Sequence, residues 1–301
     1  MSNTKYLEES LTLFENGESR KGIEKLSSGL SFARNKMNEQ EWKIFIEDIK
    51  NGSLVKTAIK CPFTEHAVLR PSGYPGDAGL IDHIYGYKSP VLDDFTKAIY
   101  SFTTNSPSSR AVRYRRYLMS ILIDKTIHLR GETASILAVA CGHLRELDLC
   151  RTLLNIRPKR FIALDQDIES LKEVEKCFSK YGVSTLQKDI KNLIVGKIKL
   201  DGLDLIYSSG LYDYLSEEVA RRLTNQLFKM LAPQGTLVIA NFLPQISGAG
   251  YMEAVMDWWL IYRNEEDMKK LIIDLPINEI ESLKQYRDPD DNITFLEIKK
   301  A

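Results

Sequence analysis

Apolar positions between residues 4 and 60 recur at helical spacing: Leu7, Leu11 and Phe14, then Ile23, Leu26, Leu30 and Phe32, then Trp42, Ile44, Phe45 and Ile49. Asn16-Gly17 and Asn51-Gly52 punctuate the pattern, and Asn-Gly pairs mark turns. Two or three amphipathic helices are predicted, with no strand among them, forming a separate cap. Between Cys61 and Pro90 the texture changes. Pro62, Pro71, Gly73, Pro75, Gly76, Gly79, Gly86 and Pro90 mix with Tyr74, Tyr85, Tyr87, His66 and His83. So many turn-formers argue against a helix and so many aromatics against a free linker, which leaves an ordered loop lying over something. Helical spacing returns from Val91 to about Leu129, with a break at Asn105-Ser-Pro-Ser-Ser109.

After Thr133 short apolar runs alternate with amphipathic segments. Strands are predicted at Ile136–Ala140, Phe161–Leu164, Ser184–Gln187, Leu203–Ser208 and Thr236–Ala240, with helices near 144–155, 167–180, 216–231 and 251–271. Such alternation implies right-handed βαβ units and a parallel sheet covered on both faces. The tail differs: Ile280–Tyr286 and Ile293–Ile298 flank the turn sequence Arg287-Asp-Pro-Asp-Asp-Asn292, a hairpin that closes the sheet antiparallel. The chain therefore divides into a helical cap over 1–129, carrying the Gly/Pro/Tyr-rich loop at 61–90, and an α/β domain over 130–301.

Lys+Arg and Asp+Glu balance at 41 each, so the chain as a whole lacks the positive field that duplex nucleic acid requires. A small-molecule partner fits better. Cys61, Cys141, Cys150 and Cys177 show no metal-site spacing and read as reduced thiols of a cytoplasmic protein. The polar, acidic start is neither a signal peptide nor an anchor, and no apolar run reaches the roughly 18 residues of a membrane span. The sequence does not specify an oligomeric state.

The chemistry concentrates in two runs. Ser135-Ile-Leu-Ala-Val-Ala-Cys-Gly-His-Leu-Arg-Glu146 is apolar until it breaks at Cys141-Gly142, and Arg160-Phe-Ile-Ala-Leu164 is a second apolar run that stops on Asp165. A buried strand, a turn with Gly, a helix and a strand ending in a carboxylate hold a nucleoside: the turn admits the ligand, and the acid about 20 residues on accepts from ribose hydroxyls. Tight strand–helix packing at Cys141-Gly142 with no ligand is the bland alternative.

Five parallel strands closed by an antiparallel hairpin resemble the core of the class I S-adenosylmethionine-dependent methyltransferases. The resemblance covers residues from about 130 to 301 and implies a Rossmann-like α/β sheet with S-adenosyl-L-methionine as cofactor. In that family the position of Asp165, in Ile162-Ala-Leu-Asp-Gln-Asp167, holds the ribose, and that of Asp189, in Leu186-Gln-Lys-Asp-Ile190, holds the adenine amino group. Four motifs look like a narrower bacterial branch: Asp204-Leu-Ile-Tyr-Ser-Ser-Gly-Leu-Tyr-Asp-Tyr-Leu215, Cys141-Gly-His-Leu-Arg-Glu146, Gly73-Tyr-Pro-Gly-Asp77 and Trp258-Trp-Leu-Ile-Tyr-Arg263. That branch includes methyltransferases proposed to make fatty-acid methyl esters and the azetidine-carboxylate synthases, which cyclise the cofactor. One departure stands out: the family's acid before a Gly-rich first loop is missing here, where the chain reads Ala138-Val-Ala-Cys-Gly-His-Leu144.

The cofactor-binding set that follows is Ala140, Cys141, Gly142, Asp165, Gln166, Asp189, Ile190, Tyr207 and Ser208, with Glu146 replacing the lost acid as acceptor for the methionine ammonium. Glu146 also reads as a first-turn carboxylate serving the helix dipole. Arg110-Ala-Val-Arg-Tyr-Arg-Arg116 carries cations; Arg113 is the candidate grip for a carboxylate of cofactor or substrate, against a solvated basic face. A sulfonium has no hydrogen to donate, so aromatic faces and oxygen lone pairs must stabilise it; Tyr207, Tyr212, Tyr214 and Tyr74 are the candidates. His143, His83 and Asp213 are candidates for proton transfer, and Asp77 joins Tyr74 as a catalytic candidate in the loop, although Tyr-Pro-Gly-Asp is also a good turn. Methyl transfer to a small-molecule or acyl acceptor, with oxygen favoured, is the first reading. A lyase or cyclase releasing methylthioadenosine, and a non-catalytic cofactor-binding module, remain open.

Overall fold

The computed structural model describes residues 4–301. In chain order it runs α1 (Lys5–Glu15), α2 (Ser19–Lys36), α3 (Glu39–Ile49), α4 (Ser53–Ile59), α5 (Pro62–Leu69), α6 (Ala78–Tyr85), α7 (Asp94–Thr104) and α8 (Pro107–Arg130). There follow β1 (Ser135–Val139), β2 (Arg160–Asp165), α9 (Ile168–Phe178), β3 (Val183–Gln187), α10 (Ile190–Ile194), β4 (Leu203–Ser208), α11 (Glu217–Met230) and β5 (Leu231–Phe242). The chain ends with α12 (Ala249–Val255), α13 (Glu265–Lys270), β6 (Ile280–Arg287) and β7 (Ile293–Lys300). Among the described residues no helix is long and apolar enough to cross a membrane.

The elements form two compact units, residues 4–113 with 245–259, and residues 114–244 with 260–301. The division thus falls inside α8 rather than at residue 129, and a segment beyond β5 returns to the first unit. The reason lies in side chains of α12. Glu253 is 2% exposed and accepts from Trp42 Nε1 at 2.7 Å and Arg34 Nε at 2.8 Å, while Tyr251 shares a 3.1 Å hydrogen bond with Thr64. A buried carboxylate with two donors holds only where those donors are.

The segment predicted as a loop, 61–90, contains two short helices instead. Pro62 stands at the start of α5, where no backbone N–H is needed. The Asp77 side chain caps α6 by accepting from Leu80 N at 2.7 Å, and Gly86 ends α6 with φ +82°. The turn-formers sit at helix ends, which composition alone does not reveal.

The second unit is one seven-stranded sheet, ordered β3-β2-β1-β4-β5-β7-β6. β1 to β5 pair parallel, and β7 lies antiparallel to both β5 and β6. It is a Rossmann-like sheet closed by an antiparallel hairpin, as the strand pattern predicts. β1 is buried at every position because it sits centrally. α9 buries Leu171, Val174 and Phe178, and α11 buries Leu223, Leu227 and Phe228, each on one face. The first crossover has no α-helix: 145–149 and 152–154 are 3-10 turns. Arg145, Glu146 and Leu147 are buried consecutively, a pattern that one helical face does not offer. The predicted 251–271 helix is likewise two short ones, with 256–264 irregular between them.

Candidate active site

Where β1 ends, the chain turns through three left-handed residues, Ala140, Gly142 and Leu144, each at φ +52°. For Ala and Leu that conformation costs on the order of 1–2 kcal/mol each, so the loop is held by its surroundings. Its anchors come from β2. Cys141 N donates to Leu164 O at 3.1 Å, and Gly142 N donates to Asp165 Oδ2 at 2.8 Å. Asp165 Oδ1 accepts from Asp167 N at 2.9 Å. At 5% exposure the Asp165 carboxyl is pushed above the usual carboxylate range by burial, against the pull of these N–H groups. A carboxylate offers about four lone-pair positions, and the backbone of Gln166 also bears on this one, so acceptor capacity remains for a hydroxyl donor. Gln166 follows, exposed.

Asp189 caps α10, accepting from Lys191 N at 2.8 Å, while the neighbouring Lys188 N donates to Asp165 O at 2.9 Å. The two acids therefore stand at adjoining strand ends. Ile190, half-buried, packs on the core cluster. Ser208, at the tip of β4, donates to Val139 O at 3.2 Å.

Beside the loop lies a buried acid pair. Tyr207 OH donates to Glu146 Oε1 at 2.7 Å, both side chains being almost fully enclosed. Burial raises the Glu146 carboxyl, the Tyr207 hydroxyl opposing it, and burial raises the Tyr207 phenol in turn. Tyr207 is thus a phenol held to a carboxylate. Burial also raises the Cys141 thiol well above its ordinary range, so it is no ready nucleophile. His143 is half-buried in the loop itself.

Other candidates lie elsewhere. Tyr212 does not open onto any ligand: it is 0% exposed, belongs to the core cluster and shares a 3.0 Å hydrogen bond with Thr224. The short 3-10 turn over 212–214 turns it inward. Asp213 is buried, accepts from Phe242 N at 2.7 Å and is pushed up to about 6 by burial. Arg113 is engaged, donating to Thr104 O at 2.7 Å and Ile84 O at 3.0 Å, where it caps the ends of α7 and α6. Asp77 is equally committed. At 1% exposure it accepts from Leu80 N, from Ser72 N at 3.3 Å and pairs with His66 Nε2 at 2.7 Å. It positions His66 rather than presenting a carboxylate of its own. Tyr74, half-buried, precedes it in the first unit. Trp258 is buried, and Trp259 Nε1 donates to Asp257 Oδ1 at 2.8 Å.

Sequence reasoning missed His66, whose pairing with Asp77 needs α5 beside α6, and Arg115. The latter is 6% exposed, with Nη1 3.9 Å from Asp213 Oδ2. Helical numbering puts Arg115 away from Arg113, a signal that the Arg110–Arg116 run already contained.

No family model matches the chain, and no curated protein matches it. Solved structures are similar in fold. One, described as a possible exported protein from Bordetella parapertussis, overlaps with a TM-score of 0.65 at 14% identity, covering 94% of this chain and 96% of that one. The N-methyltransferase NodS of Bradyrhizobium japonicum WM9 with S-adenosyl-L-homocysteine has 16% identity, 65% and 89% coverage and a TM-score of 0.44. Magnesium protoporphyrin IX methyltransferase of Synechocystis PCC 6803 has 11% identity, 73% and 92% coverage and a TM-score of 0.47. The first shares the fold over nearly the whole chain, while the overlap of the other two is too loose to carry an argument.

Proposed function

We propose that the second unit binds S-adenosyl-L-methionine and that the protein transfers its methyl group to a small-molecule or acyl acceptor, with oxygen favoured. The observation that carries this reading is Asp165. It stands at the tip of β2, holds the strained β1 loop through Gly142 N, and keeps acceptor capacity for a ribose hydroxyl. In this reading Asp189 accepts from the adenine amino group, with Gln166 and Ile190 beside it, and the Ala140–Gly142 backbone lines the sugar. Glu146 accepts from the methionine ammonium through the oxygen that Tyr207 does not use. The kinship to the fatty-acid methyl ester and azetidine-carboxylate branch rests on the four motifs quoted above.

Methyl transfer is an in-line displacement. The acceptor oxygen bonds to carbon, the carbon–sulfur pair returns to sulfur, and the protein contributes chiefly positioning and exclusion of water. A carboxylate acceptor loses no proton. A hydroxyl does, and His143 on the loop is the proposed base.

Incubating the pure protein with S-adenosylmethionine, with and without carboxylic acids, tests the reading. Formation of S-adenosylhomocysteine only with an acceptor supports it. Methylthioadenosine from the cofactor alone selects the cyclase instead. Absence of both calorimetric binding and thermal stabilisation by S-adenosylhomocysteine sinks the cofactor assignment.

A further inference from the structure

Arg115 sits on the buried side of α8 with its Nε–H unpartnered. The Asp213 carboxyl is 3.9 Å from Nη1, beyond hydrogen-bond range. Nη2 lies against Gly210, just past the tip of β4, where a side chain would begin 3.4 Å away and where none exists. Enclosing a guanidinium with a donor unmade is costly, and folded proteins keep such a group where a ligand completes it. The Nε–H and an adjacent Nη–H form the planar fork that matches the two oxygens of a carboxylate.

The geometry points to Arg115 as the receptor for a carboxylate entering at the tip of β4. This deepens the proposed function and rests on it. Negative charge already nearby sets the class of anion. Asp213 lies beside the fork, and Glu146 is close enough for Arg115 to act on its carboxyl. A dianionic phosphate would set two further negative charges against both acids, whereas a carboxylate sets only one. Asp213 holds the Phe242 N–H and leaves the fork free. Arg116 is a different case, since its Nε already donates to Arg145 O at 2.9 Å.

Two molecules bring a carboxylate here, the amino-acid end of the cofactor and an acidic acceptor, and ligand pairs separate them. S-Adenosylhomocysteine and methylthioadenosine share the nucleoside but differ in the amino-acid end. Octanoate and octanol share a chain but differ in the carboxylate. If the cofactor is the source, Arg115→Gln weakens S-adenosylhomocysteine on the order of tenfold to a hundredfold, the effect of a lost charge-assisted pair, and leaves methylthioadenosine unchanged. If the acceptor is the source, S-adenosylhomocysteine is unchanged, and the variant loses the extra thermal stabilisation that octanoate, unlike octanol, gives the wild-type complex. Arg115→Lys, which keeps charge without the fork, falls between. Equal weakening of both nucleosides, or no change in any ligand, overturns the proposal. Wild-type protein that binds neither nucleoside fails earlier, and that outcome overturns the cofactor reading itself.

Discussion

Asp165 and Tyr207 are single side chains with separable consequences. Asp165→Ala removes the proposed acceptor for ribose and is expected to weaken S-adenosylhomocysteine binding by about 1–3 kcal/mol, read by calorimetry; an unchanged affinity removes the ribose role. Tyr207→Phe leaves Glu146 buried without its 2.7 Å donor. Folding stability should fall by roughly 1–3 kcal/mol in denaturant titrations, and a neutral result means that the phenol is dispensable. Of the residues named from sequence, Asp165, Gly142 and Glu146 stand together because strand ends and the loop between them are local features. Tyr212, Arg113 and Asp77 do not, because each side chain finds partners that chain order cannot show: Thr224, the carbonyls ending α6 and α7, and His66.

The β1 loop stores backbone strain as an element. Ala140→Gly should relieve it and raise stability by about 1 kcal/mol, measured by thermal unfolding, unless the added freedom of the unfolded chain cancels the gain. The α5–α6 pair sets a pH dependence. His83 is held down to about 4 by burial, below its ordinary 6.5. The unfolded chain therefore takes up the proton first, and stability is lost as pH falls from about 6.5 towards about 4, by roughly 3 kcal/mol in all. Asp213, raised to about 6, acts in the opposite sense, its contribution rising as pH falls through the same range. His83→Gln compared with wild type at pH 7 and pH 5 isolates the histidine: the variant should lose less stability on acidification. Equal losses would falsify the assignment. Strands were legible at this scale because apolar runs of five or six residues have few alternatives. The first crossover was not, because apolar and charged residues, Leu144 to Leu147, are buried in a row there.

Across the whole molecule, chain order and folding unit part company. α12 belongs with α2 and α3, where Glu253 meets Arg34 and Trp42, and where a Cβ on Gly250 would lie 2.6 Å from the Leu30 backbone. Residues 1–129 expressed alone should therefore unfold without a cooperative transition, since Trp42 and Arg34 lose the acid that satisfies them. A sharp thermal transition in that fragment, seen by calorimetry, would show that α12 is an accessory. Gly250→Ala in the full chain gives the second reading, with destabilisation expected from contact against backbone that cannot swing away.

The sequence by itself determined the parallel sheet, its antiparallel closing hairpin and the acid at the end of β2, because hydrophobic period and turn residues act over a few positions. Tertiary structure alone decided which of several tyrosines, arginines and acids are taken up by partners within the protein, and which helix serves which unit. Burial and hydrogen-bond partners belong to pairs far apart in the chain. The Arg run shows the difference most plainly: helical numbering separates Arg115 from Arg113 but does not give their fates, and packing of α8 spends Arg113 on carbonyls while leaving the Arg115 Nε–H unmet.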